Sequence, residues 1–214
     1  MKRIMLVVLL AVSSAAVVSA QNLSFGPTVG FGHSWTNSEK GSLDRMFHPS
    51  YNIGGKLVYS FVSHWGLSGD VKYSSEGHTL GTDADNKTVG RLNYIRIPIQ
   101  AIYFFGDFGD AVRPKISIGP SMGFLVGGKT RTYVDDEEIS EDDVKSFTKG
   151  FDFGATGAVG ANFKISSNTW LNTDISYYHG LTEASEIGTS FKNRNLGLNI
   201  GLTFGIGTVK PATK

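Results

Sequence analysis

From Leu23 to Trp35 the chain alternates in character at every step. The odd positions read Leu23, Phe25, Pro27, Val29, Phe31, His33 and Trp35, and the even positions between them are Ser, Gly or Thr. A period of two puts one large, mostly apolar face opposite one small, polar face, which is the signature of a β-strand. Seven further runs repeat it, over 51–61, 65–73, 95–105, 116–126, 151–163, 171–177 and 196–204.

The polar faces decide the environment. They carry Lys56, Asp70, Lys72, Glu76, Arg96, Gln100, Lys115, Asp152, Asn162, Asp174, Asn195 and Asn199, with many Gly and Ser between. A soluble sandwich would turn the apolar face inward, whereas a membrane barrel turns it to lipid and fills its lumen with the polar one. Three features favour the barrel: aromatic residues near strand ends, an N-terminal export signal, and connections that alternate in length. Short links fall near 63–65, 106–113 and 164–169, and long polar links near 36–50, 77–90, 127–149 and 180–192. The expected fold is therefore all-β, an eight-stranded antiparallel up-and-down transmembrane β-barrel with short periplasmic turns and long external loops. Pro27, Pro98 and Pro120 interrupt the ladder, and bulges or local breaks are expected there.

Lys2 and Arg3, the apolar run from Ile4 to Val12, and Val18-Ser19-Ala20 read as a signal peptide cleaved after residue 20. The domains are then a signal over 1–20, a barrel over 21–206 and a tail over 207–214. The apolar run is too short for the roughly 20 residues of a spanning helix. With no Cys, neither a lipid anchor on that residue nor a disulfide is available. The 27 Gly and 12 % aromatic residues suit tightly packed strands rather than disorder. The net charge of +1, or −1 without Lys2 and Arg3, gives no reason to expect nucleic acid as a partner.

The stretch Leu92-Asn93-Tyr94-Ile95-Arg96-Ile97-Pro98-Ile99-Gln100-Ala101-Ile102-Tyr103-Phe104-Phe105 resembles the Ile-Pro-containing fourth strand of the PorT-like outer-membrane β-barrel family. Tyr177-Tyr178-His179-Gly180-Leu181-Thr182 and the closing 193–204 strand are similar to that family too. The resemblance implies an eight-stranded barrel in a Gram-negative outer membrane. It implies little about activity, a few members being linked to protein secretion.

Chemical motifs are sparse. Gly123-Phe124-Leu125-Val126-Gly127-Gly128-Lys129-Thr130 spells a phosphate-binding loop, but the β-prone Arg131-Thr132-Tyr133-Val134 stands where a helix is needed. Asp83-Ala84-Asp85-Asn86-Lys87 begins like a calcium loop and lacks the later ligands. The five His residues show no metal-binding spacing, and only His33 with Ser34, or His179, could serve a lipid-modifying enzyme. No catalytic residue, metal or cofactor is expected. Asp135, Asp136, Glu137, Glu138, Glu141, Asp142 and Asp143 form an acidic external loop, read as solvated, with a weak cation site or a basic partner as the functional alternative. Cations could also bridge these acids to lipopolysaccharide.

The lumen carries the sharpest expectation. Hairpins centred near residues 63 and 83 pair Lys56 with Asp70 and Asp70 with Arg96. With Lys72, Glu76 and Asp174 nearby, these residues are expected to form a salt-bridge network that blocks solute passage. The expected function is a structural or loop-mediated binding role in the cell envelope. A narrow channel or secretion-associated barrel, and a lipid-modifying enzyme, are the rivals. Outer-membrane lipid, lipopolysaccharide and an envelope protein are the expected partners of a monomer.

Overall fold

The computed structural model describes residues 23–38, 44–61, 63–185 and 191–206, so the expected signal peptide and C-terminal tail lie outside the described residues. Ten strands follow in order: β1 (Leu23–Ser38), β2 (Asp44–Met46), β3 (Pro49–Ser60), β4 (Trp65–Gly81) and β5 (Lys87–Phe104), then β6 (Val112–Val134), β7 (Glu137–Asp143), β8 (Phe151–Ser166), β9 (Thr169–Gly180) and β10 (Phe191–Ile206). Eight of them form the wall, in the order β1-β3-β4-β5-β6-β8-β9-β10, each antiparallel to the next. β10 then pairs with β1 from Leu23↔Ile206 to Ser38↔Phe191, which closes the ring. Closure removes the unpaired strand edges that an open sheet would expose. The strands β2 and β7 extend β4 and β6 beyond it on the long-loop side.

Burial runs opposite to that of a soluble protein. Phe31, Ile53, Ile118 and Ile175 are exposed on the outer surface, while Thr28, Lys56, Asp70 and Asp174 are buried within. The alternating pattern thus keeps every apolar run facing out, where only lipid can satisfy it.

Two of the long links are shorter than the sequence suggests. The strands β4 and β5 run past residues 77 and 90 to a tip at 82–86, and β6 pairs with β7 through most of 127–143. At the first tip Asp83 Oδ1 accepts hydrogen bonds from the backbone N–H of Asp85 (3.0 Å) and Asn86 (2.7 Å). This Asp-centred turn centres the hairpin on Ala84, not near residue 83. Arg96 consequently lies opposite Lys72 rather than Asp70, while Lys56 lies opposite Asp70. The offset is two residues, so every side chain keeps its face.

The prolines break the ladder without bulging it. Pairing lapses at Gly26–Pro27 against β10, at Ile97–Pro98 against β4, and at Ile99–Gln100 and Gly119–Pro120 between β5 and β6. The register is the same on both sides of each lapse, because a missing N–H removes one bond and no residue. A true irregularity lies elsewhere: Asn93 faces Gly127 and Tyr94 faces Leu125, leaving Val126 extra. Near this bulge β6 exchanges its partner β8 for β7.

Candidate functional site: the lumen and its two caps

Inward positions of the wall strands bring cations and carboxylates together in two clusters. In the outer one, Arg96 grips Glu76 through two bonds, Nε to Oε1 at 2.8 Å and Nη2 to Oε2 at 2.7 Å. The same Nη2 reaches Asp152 Oδ2 at 2.7 Å. Asp152, fully buried, also accepts from Tyr178 (2.9 Å), Asn193 (3.0 Å) and Thr182 (3.2 Å). The Arg96 guanidinium lies 4.0 Å from the Tyr178 ring centre and 4.8 Å from that of Tyr94. Gly154 and Gly123 make room for this stack: a Cβ on Gly154 would stand 2.7 Å from the Tyr178 ring, and one on Gly123 2.8 Å from Arg96 Nη1.

The inner cluster is a chain of alternating charge. Lys72 meets Asp70 (3.5 Å), Asp70 meets Lys56 (3.6 Å), Lys56 meets Asp174 (3.6 Å), and Asp174 meets Lys115 (2.9 Å). Alternation lets each buried charge offset its neighbours, where an isolated one would cost several kcal/mol. The six residues singled out from sequence thus divide between two clusters: Arg96 and Glu76 in one, and Lys56, Asp70, Lys72 and Asp174 in the other. The expected Asp70–Arg96 pair does not form, for the register reason given above. Lys115, Asp152, Tyr94, Tyr178 and Asn193 join them, and their parity alone marked the first two as inward.

Both ends of the lumen are covered. On the external side Val144 is fully buried against Leu92 and Tyr94, with Leu125 and Phe147 beside it. The segment carrying it is a single 3-10 turn, Val144–Ser146, folded into the mouth. Lys149 N–H donates to Ala184 O (2.8 Å), and Thr148 bridges to Ser185, which ties this cap to the last loop. On the periplasmic side Val58, Ile102 and Phe104 form an apolar layer. The Arg113 guanidinium lies 3.9 Å from the Phe104 ring centre and donates to Ser63 O. Between the caps a polar cavity of about 60 Å³ remains, space for a few waters.

The other candidate motifs resolve into structure. The loop-like Gly123–Thr130 segment lies within β6, which runs unbroken to Val134, so no helix N-terminus follows it. Asp83 spends its oxygens on capping its turn. His33 and Ser34 are neighbours on one strand and face opposite ways. The His33 ring is stacked 5.0 Å from Trp35 and 4.9 Å from Phe47, while Ser34 is buried. His179 meets Tyr177 through Nδ1 (3.5 Å) and Arg194 through Nε2 (3.1 Å), so the guanidinium occupies the nitrogen a base would use.

The acidic run is a hairpin arm rather than a loop. Glu141 accepts from Arg131 Nε (2.8 Å) and Lys129, and Glu138 from Tyr133 (3.3 Å). Asp136 lies 3.7 Å from Lys87, and Asp143 caps Lys145 N–H (2.9 Å). Asp135 and Asp136 form the turn, and Glu137 and Asp142 sit exposed on β7. Basic residues upstream in β5 and β6 therefore supply partners to much of the cluster. The hydrogen bonds from Lys129 and Arg131 hold the Glu141 carboxyl below its usual pKa.

Solved outer-membrane and surface proteins superpose on this barrel. The outer membrane protein OprG of Pseudomonas aeruginosa superposes with a TM-score of 0.52 at 13 % identity, over 85 % of this chain and 93 % of that one. Neisserial surface protein A superposes with a TM-score of 0.51 at 15 % identity, over 85 % and 96 % respectively. At such identity the likeness concerns the fold alone. No curated protein sequence matches the chain. The model of the outer membrane protein beta-barrel domain matches residues 19–186, and the chain belongs to that family, with its place in the outer membrane of a Gram-negative cell.

Proposed function

We propose that this protein is a closed barrel that serves the envelope through its outer wall and external hairpins, without catalysis and without free passage of solutes. The observation that carries this reading is the Arg96–Glu76–Asp152 clamp. It joins β4, β5 and β8 inside the lumen in a buried arrangement in which Arg96 Nε and Nη2 bond both carboxylates. An eight-stranded wall encloses a space that side chains can fill. Here the clamp, the Lys–Asp chain and two caps occupy most of it, and the cavity between them has room for a few waters. The PorT-like character of the Ile97-Pro98 strand supports placing the chain in that branch of the family. The stacking of His33 on Trp35 and Phe47, and the contact of His179 Nε2 with Arg194, support a non-catalytic role.

Planar-bilayer recording of the full protein tests the closed lumen. Wild type is expected to show no steady unitary currents. Arg96→Ala combined with Val144→Gly, which opens the clamp and the external cap together, is expected to introduce them. Large, steady openings of the wild type would overturn the reading in favour of a channel.

A further inference from the structure

The outer wall changes character abruptly above the bulge in β6. Going up β5, the outward positions read Tyr103, Ala101, Ile99, Ile97 and Ile95, then Asn93 and Arg91. The register sets a row of outward apolar side chains across four strands, Tyr73↔Ile95↔Phe124↔Phe151. One step higher the row is Tyr51↔Ser75↔Asn93↔Gly127, and the next is Gly77↔Arg91↔Lys129↔Asp143. The wall therefore passes from hydrocarbon-facing to polar and basic within two residues, at the external edge of the apolar band. That edge is where the head groups of the outer leaflet lie.

A groove of about 680 Å³ opens there, between the β6–β7 arm and β5. Arg91, Lys129, Arg131 and Lys145 line it, with Asp143 as the facing acid. Lys129 and Arg131 are engaged by Glu141. Arg91 and Lys145 have no ion-pair partner among the described residues. Arg91 Nη1 donates to Ser75 Oγ (3.2 Å) and the guanidinium stands 5.7 Å from the Tyr51 ring centre, an arrangement that orients it and leaves other N–H groups available. Asn93 lines the groove floor, and its Oδ1 is buried with no hydrogen-bond partner among the described residues. Gly127 keeps the floor open, since a Cβ there would meet nothing within 4 Å.

We infer that this groove binds the phosphorylated sugar head group of an outer-leaflet glycolipid, its phosphate held by Arg91 and Lys145. The unpartnered Asn93 Oδ1 accepts a sugar hydroxyl, and the acyl chains descend over Val126, Phe124 and Ile95. A guanidinium matches phosphate geometry with paired N–H donors, so it fixes both position and orientation. A bare phosphate would leave most of the groove and the Asn93 acceptor unused, and a glycerophospholipid brings no sugar ring. The inference goes beyond the closed lumen and is independent of it.

Native mass spectrometry of protein extracted from outer membranes tests it, with diphosphoryl lipid A, dephosphorylated lipid A, phosphatidylglycerol and inorganic phosphate as probes. Diphosphoryl lipid A is expected to bind at least about tenfold more tightly than each of the others. Arg91→Gln combined with Lys145→Gln should lower its affinity about tenfold or more, and Gly127→Phe should do so by filling the groove with no change of charge. Arg91→Lys, which retains charge and loses the paired donors, should fall between, and it remains informative where a stronger variant fails to insert. Equal binding of the phosphorylated and dephosphorylated lipids, or affinity unchanged in the folded variants, would overturn the site. Phosphatidylglycerol binding as tightly as lipid A would reduce it to a general anionic-lipid surface, and inorganic phosphate doing so to a simple anion site. Both outcomes overturn the glycolipid assignment.

Discussion

Tyr94 and Asn193 stand on strands four places apart in a ring of eight, and Asn193 Nδ2 donates to Tyr94 Oη at 3.2 Å. The contact spans the full diameter of the barrel. The same amide group reaches Asp152 at 3.0 Å, so Asn193 links three walls at once. Asn193→Leu keeps the volume and removes the donor, leaving the Tyr94 hydroxyl unpartnered in a buried place. A loss of about 2–3 kcal/mol is expected, since one of the bonds goes to a carboxylate. Urea titration of the protein in phospholipid vesicles measures it, and a change near zero would show that water replaces the amide at no cost.

Such cross-lumen contacts mark where the sequence stops being informative. Alternation assigns Lys56, Asp70, Lys72, Glu76, Arg96 and Asp174 to the inner face because parity survives any register error of two residues. It survived one: Arg96 faces Lys72, not Asp70. Choosing partners across the ring requires the stagger of every intervening hairpin, and each tip can shift it. Asp152 and Arg96 are separated by β6 and its bulge, which no periodic reading locates. The external cap was hidden for another reason. Val144 follows seven acids in nine residues, a context that reads as solvated, yet its side chain finds Leu92 and Tyr94 inside the mouth. Those two residues occupy inward positions that a rule of polar lumens would assign to hydrophilic side chains.

The β6–β7 arm should be separable from the barrel in stability. Asp135 and Asp136 have φ of 53° and 62°, both in the left-handed region that a two-residue hairpin of the mirror-image type requires. Two Asp residues tolerate this poorly compared with an Asn-Gly pair. The double change Asp135→Asn and Asp136→Gly should slow amide exchange across 129–143 several-fold, by about 1 kcal/mol of local stability. Exchange in β8–β10 should not change. Faster exchange in the arm would mean that the two carboxylates hold the turn through contacts beyond backbone geometry, such as that of Asp136 with Lys87.

Acid should loosen the external tips before the barrel. The bonds from Lys129 and Arg131 lower the Glu141 pKa from its ordinary 4.5, and the backbone N–H of Asn86 is the main cause that lowers the Asp83 pKa from 3.8. A lowered folded pKa means that the contribution is fully present above the unfolded value. It is lost as pH falls through the folded one. Protection of the 82–86 and 129–143 amides should therefore hold down to about pH 4.5 and fall progressively below it. Glu141→Gln should show the weakened arm already at neutral pH and lose that part of the acid response. Loss of protection beginning well above pH 5 would point to a different titrating group.

Arg96 is expected to be the most sensitive position in the lumen. It is 4 % exposed, its two acids are 3 % and 0 % exposed, and it is the cation that lies between them. Arg96→Met preserves much of the volume and leaves Glu76 and Asp152 buried without their cation. Removing one partner from a buried pair costs about 3–5 kcal/mol, because the remaining charge can neither pair nor hydrate. The triple change Arg96→Met, Glu76→Gln and Asp152→Asn removes the charges together and should recover most of that loss. Tyr178, Thr182 and Asn193 can still bond an amide at position 152 after reorienting. Lys115→Met should cost less than Arg96→Met, because Asp174 retains Lys56 at 3.6 Å. Unfolding midpoints in one vesicle composition would rank the three variants. If Arg96→Met were no worse than Lys115→Met, water would have to reach Glu76 and Asp152 freely, and the clamp could not seal the lumen.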